Sequence, residues 1–231
     1  HQPIKPLVTA AGYRTTVGKL LEGAMTRSDN TCNDVLLWKV GGPSAVRRML
    51  AAKGLGGIEF GPGERQLQAQ IAGLEWRPEW AGGAGFLQAR STMTYEARSR
   101  ALERYVDRPY DGAAPEGITY GLARLRQGQL LSPGSTATLL TLMAQSHTGP
   151  RRMRAGLGPG WALAHKTGTG QDLGTLGTGY NDVGVLTAPD GRTYAVAVMI
   201  ASTRRPIVSR MQLMADVVRA VVRTAPSAGA S

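Results

Sequence analysis

Three runs carry side chains fit for chemistry. Ser28-Asp29-Asn30 sets a hydroxyl, a carboxylate and an amide in consecutive positions, between two segments that read as helices. Lys166-Thr167-Gly168 sets an ammonium, a hydroxyl and a residue without a side chain on a segment that reads as a strand. Glu64-Arg65-Gln66-Leu67-Gln68 adds a carboxylate with an amide four positions on. Singly, each is ordinary. Ser, Asp and Asn all cap helices, and glutamate is by default an exposed residue type. Together they set hydroxyls, carboxylates, amides and an ammonium where proton transfer and anion binding could draw on them.

Composition narrows the alternatives. The 231 residues include 27 Lys+Arg against 16 Asp+Glu, a net charge of +11, with 42% hydrophobic residues. That is the make-up of a folded protein rather than a disordered one. No apolar run reaches the roughly 18 residues of a membrane span. The single Cys32 excludes an internal disulfide, and it reads as a small buried hydrophobe. His1, His147 and His165 are too scattered for a His-based metal site. The positive charge is mostly arginine, in short clusters at Arg47-Arg48, Arg151-Arg152 with Arg154, and Arg204-Arg205. None is interleaved with aromatics as a single-strand nucleic-acid binder requires. They read as a solvated surface, and no nucleic-acid partner is expected.

The elements that must position these residues follow from periodicity and punctuation. Thr15 or Thr16 can cap a helix over 15–26, with Val17, Leu20, Leu21 and Ala24 on one stripe. A second helix follows Asn30 and stops at Gly41-Gly42. Pro43 suits the first turn of a third, running to about Lys53. Gly54 to Gly63 reads as loop, and 69–93, with Trp76, Trp80 and Phe86, as an ordered loop. Helices are predicted over 94–106, from Pro115 and from Ser132-Pro133. Strands are predicted over 161–167, 182–188 and 193–201, the last two joined by Pro189-Asp190-Gly191-Arg192. An amphipathic helix over 207–223 closes the chain, and the tail from Pro226 reads as frayed. Helices first and strands last give an α+β fold, an antiparallel sheet packed with helices plus a helical lobe. Residues 1–145 read as the mainly helical part and 146–231 as three strands and a terminal helix, both parts of one unit.

The order Ser28-Asp29-Asn30 then Lys166-Thr167-Gly168, each in its expected setting, resembles the class A serine β-lactamases, on the fold shared with penicillin-binding proteins. Longer stretches carry the same resemblance: Thr148-Gly149-Pro150-Arg151-Arg152-Met153-Arg154-Ala155-Gly156-Leu157, then Trp161, then His165 through Gly170, with Asn181-Asp182 opening the next strand. The resemblance implies a role for each residue. Ser28 relays a proton to the departing lactam nitrogen. Asn30 binds the substrate's side-chain amide. Lys166 holds the site electropositive, and Thr167 binds the substrate carboxylate. Gly168 admits the ligand close to the strand, and the Thr169 N–H serves the oxyanion. Glu64 becomes the base that activates the deacylating water, with Gln68 where the family has asparagine and Glu59 a competitor in a poorer context. Arg210 falls near where some members place an arginine behind the carboxylate site. A small-molecule β-lactam is the implied partner, for a monomeric, periplasmic or secreted hydrolase needing no metal or cofactor. A penicillin-binding D,D-peptidase-like hydrolase and a non-catalytic relative remain open.

Three departures qualify the resemblance. None of the five lysines has a serine three positions before it, so the family's S-x-x-K is absent from this sequence. The nucleophile, its lysine, a first helix and two strands are expected upstream of residue 1. The stretch from Gln68 to Pro115 is longer than the family's loop and could remodel the mouth of the site. His165 stands where an aspartate commonly precedes the third motif.

Overall fold

The computed structural model describes residues 1–81 and 84–226, so the tail beyond Pro226 lies outside the described residues. The chain divides into two compact units, His1–Ala113 and Ala114–Ser231.

In the first unit, α1 (Val17–Arg27), α2 (Asn30–Lys39) and α3 (Gly42–Ala52) follow the sequence punctuation closely. The Thr16 hydroxyl accepts from Lys19 N at 3.2 Å and starts α1. Asp29 Oδ1 accepts from Cys32 N at 2.9 Å and starts α2. Both bonds satisfy N–H groups that a helix start leaves unpaired. α1 and α2 close on a small core of Leu20, Ala24 and Cys32. At Gly23 a Cβ would lie 2.8 Å from Cys32 Sγ, so the helices approach only because this residue is glycine.

After Gly63 the structure departs from the expected loop. α4 (Glu64–Ile71) begins at Glu64 itself, burying Leu67, Ala69 and Ile71. A 3-10 turn at Pro78–Trp80, then α5 (Gly85–Ser91) and α6 (Tyr95–Asp107), occupy the long insertion. α4 packs against α2 and α6, and Ala101 and Leu102 of α6 are buried. Helices as short as α4 and α5 are marginal alone, and packing is what stabilises them. Their pattern is correspondingly weak in the sequence.

The second unit holds α7 (Pro115–Arg126), α8 (Pro133–Ala144), β1 (Ala162–Gly168), β2 (Asp172–Leu173), β3 (Leu176–Thr187), β4 (Thr193–Thr203) and α9 (Ile207–Thr224). The sheet is antiparallel. β1 and β4 flank β3, and the short β2 pairs with the start of β3. The predicted turn forms the β3–β4 hairpin, with Gly191 at φ +85° and Ala188 N donating to Arg192 O at 2.8 Å. Alternating residues of β4, Val196 and Val198, join Met153, Leu163, Tyr180, Leu186, Met214 and Val218 in one core beneath α9. α7 packs on β3 and β4, and α8 on β1. The compact units divide after Ala113 because α7 and α8 pack on the sheet. Among the described strands β4 pairs with β3 alone.

Candidate active site

The first unit brings Asn30, Glu64 and Gln68 together. Ser28 ends α1 at φ +53°, the one non-glycine residue at positive φ among the described residues. That conformation costs about 1–2 kcal/mol for an L-residue, and such strain clusters at functional sites. It turns the chain sharply enough for Asp29 to start α2 at once. Asp29 is buried, its oxygens taking the N–H groups of Cys32 and Ile4. The middle residue of the motif thus builds the turn, while Ser28 and Asn30 flank it.

Asn30 Nδ2 donates to Glu64 Oε1 at 2.8 Å, and Gln68 Nε2 donates to the same oxygen at 3.1 Å. Gln68 reaches it because positions i and i+4 share a helix face. Asp34, one turn beyond Asn30 on α2, is almost fully buried. Its Oδ1 accepts from Glu64 N at 3.0 Å, and its Oδ2 accepts from Arg65 N at 3.3 Å and Arg65 Nε at 2.9 Å. Asp34 therefore pins the start of α4 to α2. Burial pushes the Glu64 carboxyl above its ordinary range; the Gln68 amide pulls it back, and the negative charges of Asp34 and Asp111 push it up again. A buried carboxylate aimed by two amides is placed to accept a proton. Burial, with Asp29 nearby, pushes the Cys32 thiol up to about 11, so Cys32 is a packed thiol.

The second unit brings the Lys166-Thr167-Gly168 edge together with a cation. Thr167 Oγ1 and Thr148 Oγ1 lie 2.7 Å apart, and Thr148 continues to Ser146 at 3.1 Å. Lys166 Nζ donates to Thr167 O at 2.8 Å. Arg152 Nη1 donates to Gly168 O at 2.9 Å and Asn181 O at 2.7 Å, and its Nη2 donates to Thr169 Oγ1 at 2.6 Å. The same guanidinium stacks on the Tyr180 ring, 3.8 Å from its centre. Arg152 is 8% exposed, so one member of the expected surface clusters is instead an interior group. Arg210 is buried too. Its Nε donates to Arg205 O at 2.9 Å, and its Nη1 lies 3.6 Å from Asp172 Oδ1. A Cβ at Gly177 would fall 2.2 Å from that guanidinium, so glycine makes its space. His165 is fully buried, its Nδ1 hydrogen-bonded to Asp182 Oδ1 at 2.7 Å, while Asp182 Oδ2 accepts from Met153 N at 3.2 Å.

Two residues of this arrangement escaped the sequence reading. Asp34 lies four positions after Asn30 and so shares its helix face, a signal present in the spacing. Arg152 lies inside the very stretch that carried the resemblance, but its burial is not encoded locally. Among the described residues no group of three or more His, Cys, Asp or Glu could hold a metal ion.

The second unit, which bears Lys166-Thr167-Gly168 on a strand of its antiparallel sheet, and the first, which presents Asn30 and Glu64 on helices, each carry motifs of the β-lactamase and penicillin-binding class. Residues 6–225 match the family model described as the beta-lactamase enzyme family, and the chain belongs to that family. It is 28% identical over 215 residues to a β-lactamase of Streptomyces albus G, covering 93% of this chain and 56% of that protein. It is 31% identical over 199 residues to a β-lactamase of Streptomyces fradiae, covering 86% and 52%. The chain thus spans about half the length of these curated relatives. In fold it is similar to the crystal structure of a β-lactamase from Chitinophaga pinensis, with a TM-score of 0.75 at 22% identity over 98% of this chain and 71% of the other.

Proposed function

We propose that the protein hydrolyses β-lactams through a serine acyl-enzyme, with the nucleophile and its S-x-x-K lysine supplied by chain preceding residue 1. The observation that carries this reading is the Glu64 carboxylate, buried, raised in pKa and aimed by the amides of Asn30 and Gln68. In acylation the serine oxygen bonds to the lactam carbonyl carbon and the C–N bond breaks. The nitrogen leaves with a proton relayed by the Ser28 hydroxyl. In deacylation Glu64 takes a proton from water, whose oxygen attacks the ester carbonyl. The serine oxygen departs and recovers the proton. The N–H of Thr169 serves the oxyanion, and Lys166 keeps the site positive.

Thr167 receives the substrate carboxylate, and Arg152 supplies positive charge beside it. Planar guanidinium is the natural partner of a carboxylate, and this one already bonds Thr169 and Gly168. Asn30 has a second duty, toward the side-chain amide of the substrate. The protein acts as a monomer, in the periplasm or outside the cell, where β-lactams arrive, and it protects its host from them.

Intact-mass spectrometry of the natural protein during timed exposure to a penicillin tests this. A mass well above 24.4 kDa, with a penicilloyl adduct that appears and decays as product accumulates, is expected. A persistent adduct replaces hydrolysis with a penicillin-binding activity. No adduct at all overturns the catalytic reading.

A further inference from the structure

We infer that Arg65 is a positioning residue for Glu64, and that the aromatic cluster of the long insertion holds Arg65 in place. The inference rests on Glu64 being the deacylation base. Asp34 is the starting point. It is a buried carboxylate, its side chain 4% exposed, that receives two backbone N–H groups at the start of α4. Its cation is Arg65, bonded through Nε at 2.9 Å. A buried carboxylate deprived of its cation is strongly disfavoured. Arg65 therefore supplies the counter-charge of the group that anchors the backbone of Glu64. It also offsets the negative charge of Asp34, which acts directly on the Glu64 carboxyl.

The insertion closes on the same side chain. The Arg65 guanidinium lies over the Trp76 ring, 5.8 Å from its centre. Trp76 meets Trp80 edge-on at 5.8 Å and Phe86 at 6.2 Å, and Trp80 meets Phe86 at 6.0 Å. A Cβ at Gly85 would fall 2.4 Å from Trp80 Cδ1, so α5 can seat against the indole only through glycine. Rings in this arrangement attract one another beyond their buried area, and a cation over an indole face is attracted to it. The Nε bond and the attraction of the ring face together hold the guanidinium. Lysine can provide the charge but not the planar fork and stack. The path runs Trp76, Arg65, Asp34, Glu64 N, within the first unit, and gives the insertion a function in setting the base.

The test measures acylation and deacylation separately in the natural protein with one penicillin, using rapid quench and mass spectrometry. Arg65→Ala is expected to slow deacylation by roughly 10- to 100-fold, as small displacements of a reacting group do, with acylation unchanged. The acyl-enzyme accumulates, so kcat and KM fall together. Arg65→Lys recovers part of the loss. Trp76→Leu, which leaves the Asp34 pair intact, slows deacylation to a smaller degree and carries the test if Arg65→Ala does not fold. Deacylation at the parent rate in Arg65→Ala, or in Trp76→Leu where Arg65→Ala does not fold, or equal losses in the two steps, overturns the inference. Glu64→Gln separates the two readings. Glu64→Gln arrested in deacylation with Arg65→Ala unaffected removes the role of Arg65 alone; Glu64→Gln turning over normally removes the base.

Discussion

Asn30 and Glu64 stand thirty-four positions apart in the chain, and the amide of the first donates to the carboxylate of the second at 2.8 Å. Gln68 donates to the same oxygen, so two amides from different helices fix one carboxylate. This is how a general base is kept from wandering: the donors stabilise its ionised form and set its direction. Glu64→Ala is expected to slow deacylation by about 10²–10⁴-fold, the usual worth of a positioned base, while the penicilloyl adduct still forms. Single-turnover release of product measures it, and normal release would remove Glu64 from the mechanism.

The raised pKa of Glu64 has two consequences of opposite sign. As the proposed base Glu64 acts ionised, so deacylation is expected to fall as the pH drops through the folded-state pKa. Gln68 is the foremost group lowering that pKa, so Gln68→Leu is expected to move the acid limb of the deacylation profile to higher pH. Stability runs the other way. A carboxyl whose folded pKa exceeds its unfolded value contributes fully below about pH 4, and that contribution is lost as the pH rises through the folded pKa. Glu64→Gln is therefore expected to raise Tm at neutral pH and to leave it nearly unchanged in acid. Thermal melts at the two pH values decide; a lower Tm at neutral pH would show that the charge is not a burden there.

How far the sequence carried the structure is clearest from particular residues. Thr16, Asp29 and Ser132 announce the starts of their helices because a cap is local chemistry, read from a handful of neighbouring residues. The β3–β4 hairpin is legible for the same reason, through Pro189-Asp190-Gly191-Arg192 and the alternation of Val196 and Val198. The helix α4 is not, because Leu67 and Ile71 become a buried face only once α2 and α6 lie against them. β2 escapes notice because two residues, Asp172 and Leu173, carry no period. In the site, Ser28, Asn30, Lys166 and Thr167 are visible as types in order. That Asn30 and Asp34 meet Glu64, and that Arg152 is buried, depends on residues distant in sequence.

Arg152 gives a prediction about substrate chemistry. Its guanidinium spends three hydrogen bonds on Gly168, Asn181 and Thr169 and stacks on Tyr180. A charge-assisted hydrogen bond contributes about 1.5–3 kcal/mol, so Arg152→Ala is expected to raise KM for a penicillin by roughly 10- to 100-fold. The methyl ester of the same penicillin, which lacks the anionic carboxylate, should lose much less. Arg152→Lys should restore little, because the fork geometry is gone. Equal losses for acid and ester would assign Arg152 to the strand edge alone.

His165 and Asp182 bind the strands beneath that edge. Both side chains are fully buried, hydrogen-bonded at 2.7 Å, and Asp182 also holds the N–H of Met153. In the β1–β3 register Thr167 faces Asp182 and Gly168 faces Asn181, so the pair fixes the backbone that presents the Thr167 hydroxyl. Asp182→Ala strips a buried histidine and a buried N–H of their acceptor at once. Each buried donor left without its acceptor costs about 1–3 kcal/mol, and a loss of that order is expected in denaturant unfolding. Replacing both residues by leucine leaves no orphaned polar side chain. The double variant is expected to be more stable than Asp182→Ala, since apolar replacement of a buried pair is often neutral. If Asp182→Ala costs less than about 1 kcal/mol, water has taken the vacated place, and the strand edge depends on Arg152 rather than on this pair.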